Sequence, residues 1–157
     1  MCGIAGIVDF KGSEERNNQR ILKKMSDIIV HRGPDADGQW LSDDRKCGLS
    51  FRRLAIIDLT PLGNQPMPSK NNNATIVFNG EIYNHEGIRE DLLKRGYKYR
   101  SQADTETIMN GYFAYGEEIL QKLHGMWGFA IWDADKKELF AARDRIGIKP
   151  FYYYYKE

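Results

Sequence analysis

Cys2 stands directly after Met1, and the residues that follow are small or aliphatic, "MCGIAGIVDF". Removal of Met1, which a small second residue favours, would leave a free α-amine and a thiol on one residue. Their ordinary pKa values are about 8 and about 8.5. Near neutrality the amine can therefore take the thiol proton, directly or through one water, giving a nucleophile that carries its own base and needs no histidine. The alternative is a small residue that merely follows Met. A thiolate attacking a carbonyl needs donors for the developing oxyanion. "FNGEIYN" offers the Asn79 side chain and the backbone N–H of Gly80, although Asn-Gly is equally a turn signal. Arg53 lies inside the otherwise apolar "FRRLAIID" and must pair with something. A substrate carboxylate gripped as a fork is one partner; a structural acid such as Asp58 or Asp35 is another. Asp104 in "ADTE" either steadies a helix N-terminus or holds an ammonium. One Arg, one Asp, one Glu and an Asn-Gly pair suit an α-amino acid with a side-chain carbonyl.

The elements that must position these residues follow from pattern. "CGIAGIVDF" reads as a first strand, buried on both faces because it does not alternate. "QRILKKMSDIIV" sets Ile21, Leu22, Met25, Ile28 and Ile29 on one helical stripe, and "HRGPDADG" stops that helix. "GQWLS", "CGLSF" and "RLAIIDL" are short strands, "TPLGNQPMPSKNNN" is irregular, and "ATIVFNG" is another strand. "NHEGIREDLLKRG" is a helix burying Ile88, Leu92 and Leu93 and ending at Gly96. "SQADTETIMNGYFAYG" is a helix opened by a Ser101–Asp104 capping pattern, and "EEILQKL" a short third one. "GMWGFAIWDADKKELFAARD" is a hairpin and "KPFYYYYK" a last strand. Strands, then helices, then strands, without βαβ alternation, predict α+β architecture with antiparallel sheets and helices packed outside them.

Composition narrows the function. At 157 residues with net charge +1, 41% hydrophobic and 29% charged, the chain is an ordinary single globular domain over 1–157. Nothing in it points to nucleic acid or a membrane surface. Two cysteines, Cys2 and Cys47, make neither a disulfide framework nor a metal cluster, and Cys47 reads as a small buried hydrophobe. With no signal-peptide pattern and no apolar run of about 18–20 residues, a cytoplasmic location is expected.

Taken together, the ordered motifs "MCGIAGIVDF", "HRGPDADG", "RRLAIIDL", "NQPM", "NGEIYNH", "DTE", "GMWGFAIWD" and "ARDRIGIKPFYY" resemble the glutamine amidotransferases of the N-terminal-nucleophile class. The resemblance is closest to the glutaminase domain of glutamine-hydrolysing asparagine synthetases. It implies a four-layer αββα sandwich of two antiparallel sheets, with the last strands of that sandwich expected outside this chain. It implies Cys2 as nucleophile with its α-amine as base, and Asn79 with the Gly80 N–H as oxyanion hole. Arg53 would bind the glutamine α-carboxylate and Glu81 and Asp104 its α-amino end, with the backbone of Leu54, Ala55, Ile56 and Ile57 lining the pocket. "HRGPD" would brace a loop near the site, and "RDRIGIKP" would be scaffold or an interface. Family members often have His where this chain has Phe51.

The same resemblance implies hydrolysis of glutamine to glutamate and ammonia through a γ-glutamyl thioester. The ammonia would serve ATP-dependent asparagine synthesis from aspartate in a synthetase domain or subunit. No metal or cofactor is expected in these 157 residues; ATP and magnesium belong to the synthetase part, and the chain is expected to be a fragment or a stand-alone subunit. A homodimer is a further expected partner state. The alternatives are an asparagine-synthetase-like amidotransferase with another carboxylate acceptor, and a glutamine-binding module without turnover.

Overall fold

The computed structural model describes residues 2–11, 18–54, 60–71 and 73–156. The first sheet is antiparallel, in the order β1 (Gly3–Val8), β3 (Cys47–Arg53), β2 (Ala36–Leu41). The second runs β4 (Met67–Pro68), β5 (Ala74–Ile82), β6 (Gly125–Asp133), β7 (Glu138–Arg143), again antiparallel throughout. Helix α1 (Asn18–Ile28) packs on the first sheet. Helices α2 (His85–Lys94) and α3 (Asp104–Tyr115) pack on each other, and α3 lies on the second sheet with the short α4 (Ile119–Lys122) beside it. The layers are therefore helix, sheet, sheet, helix, the αββα sandwich of the sequence reading.

Period-two alternation decides which side chain enters which layer. On β3, Cys47, Leu49 and Phe51 face the second sheet and join Val77, Ala130 and Trp132 in the inter-sheet core. On β5 and β6, the intervening Ile76, Phe78, Phe129 and Ile131 face the helices and meet Leu92, Ile108 and Ile119. Each such fully buried aliphatic or aromatic side chain contributes about 1.5–3 kcal/mol from loss of water contact. The adjacent arginines of β3 are split by the same rule. Arg52 turns toward α1, where Nε donates to the Ser26 carbonyl (3.1 Å) and Nη2 to Asp27 Oδ1 (2.7 Å). Arg53 turns the other way, to the end of the inter-sheet seam.

Several expectations are corrected. β1 is only half-buried, with Gly6 exposed, because a single helix covers its outer face. The α1 stripe is narrower than predicted: Leu22 and Ser26 are buried, whereas Ile21 and Ile28 are exposed. "CGLSF" and the start of "RLAIIDL" form one strand, β3; residues 55–59 lie outside the described residues. Within the irregular stretch, Met67–Pro68 pairs with β5. Leu93 is 49% exposed. Helix α3 is not capped by Ser101: its N-cap is Ala103, and the Ser101 hydroxyl instead donates to Glu106 (2.7 Å). The expected last strand is absent, residues 151–156 having no regular structure, and Tyr152, Tyr153 and Tyr154 are about 90% exposed. No described helix is long and apolar enough to cross a membrane.

Candidate active site

One end of the inter-sheet seam opens into a cleft of about 600 Å³, counting its mouth. Three strands aim side chains at it by alternation. Cys2 precedes β1, whose register sets Gly3 opposite Arg52 and so brings Cys2 beside the Arg53 end of β3. Asn79 lies on β5, on the face of Val77 that looks toward the first sheet. From the far side comes the N-terminus of α3 with Ala103, Asp104 and Thr105. Cys2, Arg53, Leu54, Asn79, Gly80, Glu81 and Asp104 all line this one cleft. Ala55, Ile56 and Ile57, expected to complete the lining, lie outside the described residues.

The Cys2 sulfur sits against Leu54, 3.4 Å from its N–H and 3.5 Å from its carbonyl oxygen. Burial pushes the thiol up; the Leu54 N–H and the Arg53 charge oppose that push, while Asp104 adds to it. The nucleophile candidate thus sits where a thiolate has hydrogen-bonding and cationic support but little water.

Arg53 is 8% exposed. Its Nη1 donates to the Thr60 carbonyl (2.9 Å) and to Asn64 Oδ1 (2.7 Å), which fixes the plane of the guanidinium at the cleft wall. The Arg53 carbonyl accepts from the Asp35 N–H (3.0 Å), so the "HRGPD" segment is fastened to the strand end that carries the arginine. Asp58, one of the alternative partners, lies outside the described residues.

Asn79 and Gly80 are not in a turn. Both lie within β5, Asn79 opposite Gly128 and Gly80 opposite Trp127. A Cβ on Gly80 would fall 2.2 Å from the Met126 carbonyl oxygen and 2.6 Å from Trp127 Cα. The glycine is therefore demanded by the close approach of β6, as well as being a backbone donor candidate.

Asp104 is the first residue of α3 and is 4% exposed. Its Oδ2 accepts from the Ile82 N–H (3.0 Å), tying the helix to the end of β5. Burial pushes its carboxyl up, opposed by the Ile82 N–H and by the charge of His85. A buried carboxylate beside a cleft and short of compensating charge is suited to an incoming ammonium. Phe51, where the resembled family often has His, is 2% exposed and forms part of the cleft lining.

Among the lining residues that escaped the sequence reading are Gln65 and Lys149. Gln65 holds the cleft wall together: its Oε1 accepts from the Phe78 N–H (2.5 Å) and its Nε2 donates to Thr105 Oγ1 (3.2 Å). Lys149 enters the cleft from the loop after β7 and is 1% exposed. "NQPM" and "GIKPFYY" were the available signals, but nothing local in either motif shows that its polar side chain turns inward.

The arrangement is a thiol, a guanidinium, two carboxylates and an Asn-Gly pair around one concavity. It can grip both ends of an amino-acid zwitterion while presenting sulfur to its side chain. The whole chain, residues 1–157, matches the glutamine amidotransferase domain family. The chain belongs to that family. Among relatives of this glutamine amidotransferase domain, asparagine synthetase (glutamine-hydrolyzing) 1 of Bacillus subtilis is 42% identical over 154 residues, covering 98% of this chain and 24% of that protein. Amidase chry2 of Gibberella zeae is 37% identical over 161 residues, covering 98% of this chain and again 24% of the relative. The chain thus spans about a quarter of the length of these proteins. Among solved structures, glutamine phosphoribosylpyrophosphate amidotransferase from B. subtilis, complexed with ADP and GMP, superposes with a TM-score of 0.53 at 23% identity. That match covers 63% of this chain and 23% of the other, and it supports the N-terminal-nucleophile amidotransferase fold.

Proposed function

We propose that this domain hydrolyses the side-chain amide of glutamine through a γ-glutamyl thioester on Cys2. The observation that carries the reading is the convergence of Cys2, Arg53, Asn79, Gly80, Glu81 and Asp104 on a single cleft. Arg53 binds the α-carboxylate as a fork, and Asp104 and Glu81 hold the α-ammonium. With both ends fixed, the amide carbon is presented to sulfur. The α-amine of Cys2, freed by loss of Met1, takes the thiol proton as the S–C bond forms. The oxyanion is met by the Asn79 amide and the Gly80 N–H. Collapse of the tetrahedral species breaks the C–N bond; the ammonium returns its proton to the leaving nitrogen, and ammonia departs. Water, deprotonated by the same amine, then cleaves the thioester to glutamate and regenerates the thiol.

The ammonia is supplied to a synthetase part that makes asparagine from aspartate, as the name of the B. subtilis relative suggests, with ATP and magnesium the requirements that the family resemblance implies for that part. A second reading is the same glutaminase chemistry serving another carboxylate acceptor; its one support is that a similar domain occurs in a protein named as an amidase and not as an asparagine synthetase. The test is glutamate release from glutamine by the purified chain, with Met1 removal verified by mass spectrometry and Cys2→Ser alongside. Release that disappears in the variant is expected. A folded, Met1-free protein that binds glutamine without releasing glutamate would overturn the reading in favour of a binding module.

A further inference from the structure

Gln65 joins the two sheets at the cleft. Its backbone lies against the first sheet: a Cβ on Gly38 of β2 would fall 2.1 Å from the Gln65 carbonyl oxygen. The preceding residue, Asn64, accepts from Arg53 Nη1 through its Oδ1 (2.7 Å). The Gln65 side chain, 7% exposed, reaches the second sheet and helix α3. There Oε1 accepts from the Phe78 N–H (2.5 Å) and Nε2 donates to Thr105 Oγ1 (3.2 Å).

The Phe78 amide belongs to one edge of β5. In an antiparallel strand the N–H groups of alternate residues point to the same side. On β6's side, the Tyr83 N–H just past β5 donates to the His124 carbonyl (2.8 Å). The amides of residues 78, 80 and 82 therefore share the opposite side. β4 covers that side at the start of β5, where Met67 pairs with Ile76 and Pro68 with Thr75. Extended past Pro66, the same register sets Gln65 opposite Phe78, and its carboxamide serves that residue in place of a backbone carbonyl. Farther along, Asp104 Oδ2 accepts from the Ile82 N–H (3.0 Å). The Gly80 N–H stands between these two amides, and Gln65, Phe78, Gly80 and Asp104 all line the cleft. Thr105, the partner of Gln65 Nε2, directly follows Asp104 on α3. The β5 edge, the N-terminus of α3 and the Gln65 carboxamide thus close a frame around Gly80.

We infer, on the proposed reading of this cleft as a glutaminase site, that Gln65 is a positioning residue for the oxyanion donors: its carboxamide replaces a missing strand at Phe78 and fixes the Gly80 N–H relative to the sheet that carries Cys2. Its effect falls on the transition state, where the oxyanion forms, more than on the amino-acid ends held by Arg53 and Asp104. No bond to Gln65 is made or broken in the reaction.

The test is steady-state glutaminase kinetics of the full, Met1-free chain. Gln65→Met keeps the reach of the side chain and loses both hydrogen bonds. Its kcat should fall about tenfold, a part of the roughly 100- to 1,000-fold that removal of a whole oxyanion donor costs. KM should stay near the wild-type value, the pattern of an interaction made in the transition state. Alkylation of Cys2 by iodoacetamide forms no oxyanion and should keep its wild-type rate. Thr105→Val cuts the Nε2 bond alone and should also lower kcat; Thr105→Ser keeps the acceptor and should restore it. If Gln65→Met does not fold, the Thr105 pair is read in its place. A wild-type kcat in the folded variant overturns the inference, as does a change confined to KM or an equal loss of Cys2 alkylation. The amide resonance of Gly80 in isotope-labelled protein gives a reading without glutamine, and Gln65→Met should shift it. Should the wild type release no glutamate, the proposed function is refuted and this resonance decides alone: a shift supports the placement of Gly80 by Gln65, and an unmoved resonance overturns it.

Discussion

Asp104→Asn should move stability and substrate affinity in opposite directions. In the native state the Asp104 carboxyl is 4% exposed, and burial pushes its pKa up. A carboxyl that is harder to ionise in the folded than in the unfolded chain opposes folding once the unfolded group has lost its proton. The opposition is absent below about pH 4, grows as pH rises from the unfolded value through the folded one, and is constant above that. The asparagine side chain keeps an oxygen that can accept from the Ile82 N–H, so the 3.0 Å tie between β5 and α3 survives while the buried charge is removed. The variant should therefore melt higher than wild type at pH 7 and at the same temperature at pH 3.5. Glutamine binding should suffer. A hydrogen bond between charged groups contributes about 1.5–3 kcal/mol, which at 1.4 kcal/mol per decade is roughly a 10- to 150-fold rise in KM. Calorimetry at the two pH values and steady-state kinetics read both arms. Destabilisation at pH 7 with KM unchanged would refute the reasoning and make Asp104 a structural clamp.

Gly80→Ala should destabilise the fold by about 1–3 kcal/mol, seen as a lower urea midpoint, since its Cβ would lie 2.2 Å from the Met126 carbonyl oxygen in the neighbouring strand. Asp144→Asn should weaken the clasp on the loop after β7, where burial raises the native carboxyl but the backbone N–H groups of Lys149, Ile148, Trp127 and Gly147 outweigh it and hold the group below its ordinary value. The contribution of that carboxylate is present above about pH 4 and lost as pH falls through its depressed native value. Wild type should therefore lose stability on acidification below pH 4 and the variant lose less, as thermal melts across pH 2–7 would show.

Most element positions were legible in sequence because they depend on local periodicity, whereas the four-layer order came from the family resemblance. The hairpin of β6 and β7 followed from a 2-residue repeat, and the structure has it; of the apolar residues expected to share a face of α3, Ile108, Met109 and Tyr112 are buried, whereas Phe113 is 37% exposed. The opposite fates of Arg52 and Arg53 required knowing which face of β3 meets α1, a tertiary fact. So did Gln65, whose bonds reach Phe78 and Thr105, and Lys149, whose burial is arranged by Asp144. The Asn-Gly pair misled as a turn signal because the chain continues extended to Ile82, held along its length by β6. The aromatic run after Pro150 has strand-forming composition, yet among the described residues it has no ladder partner.

The proposed nucleophile and its anion donors belong to different sheets. Cys2 and Arg53 stand on one, Asn79 and Gly80 on the other, and the core between them consists of side chains such as Phe51, Val77, Ala130 and Trp132. The gap across which an oxyanion would be met is therefore a thickness, set by the volumes of residues that never touch substrate. Trimming Trp132 or enlarging Ala130 changes the spacing of two plates, and with it the reach of the sulfur. In such a molecule a search for variants of altered turnover belongs as much in the sandwich filling as at the cleft.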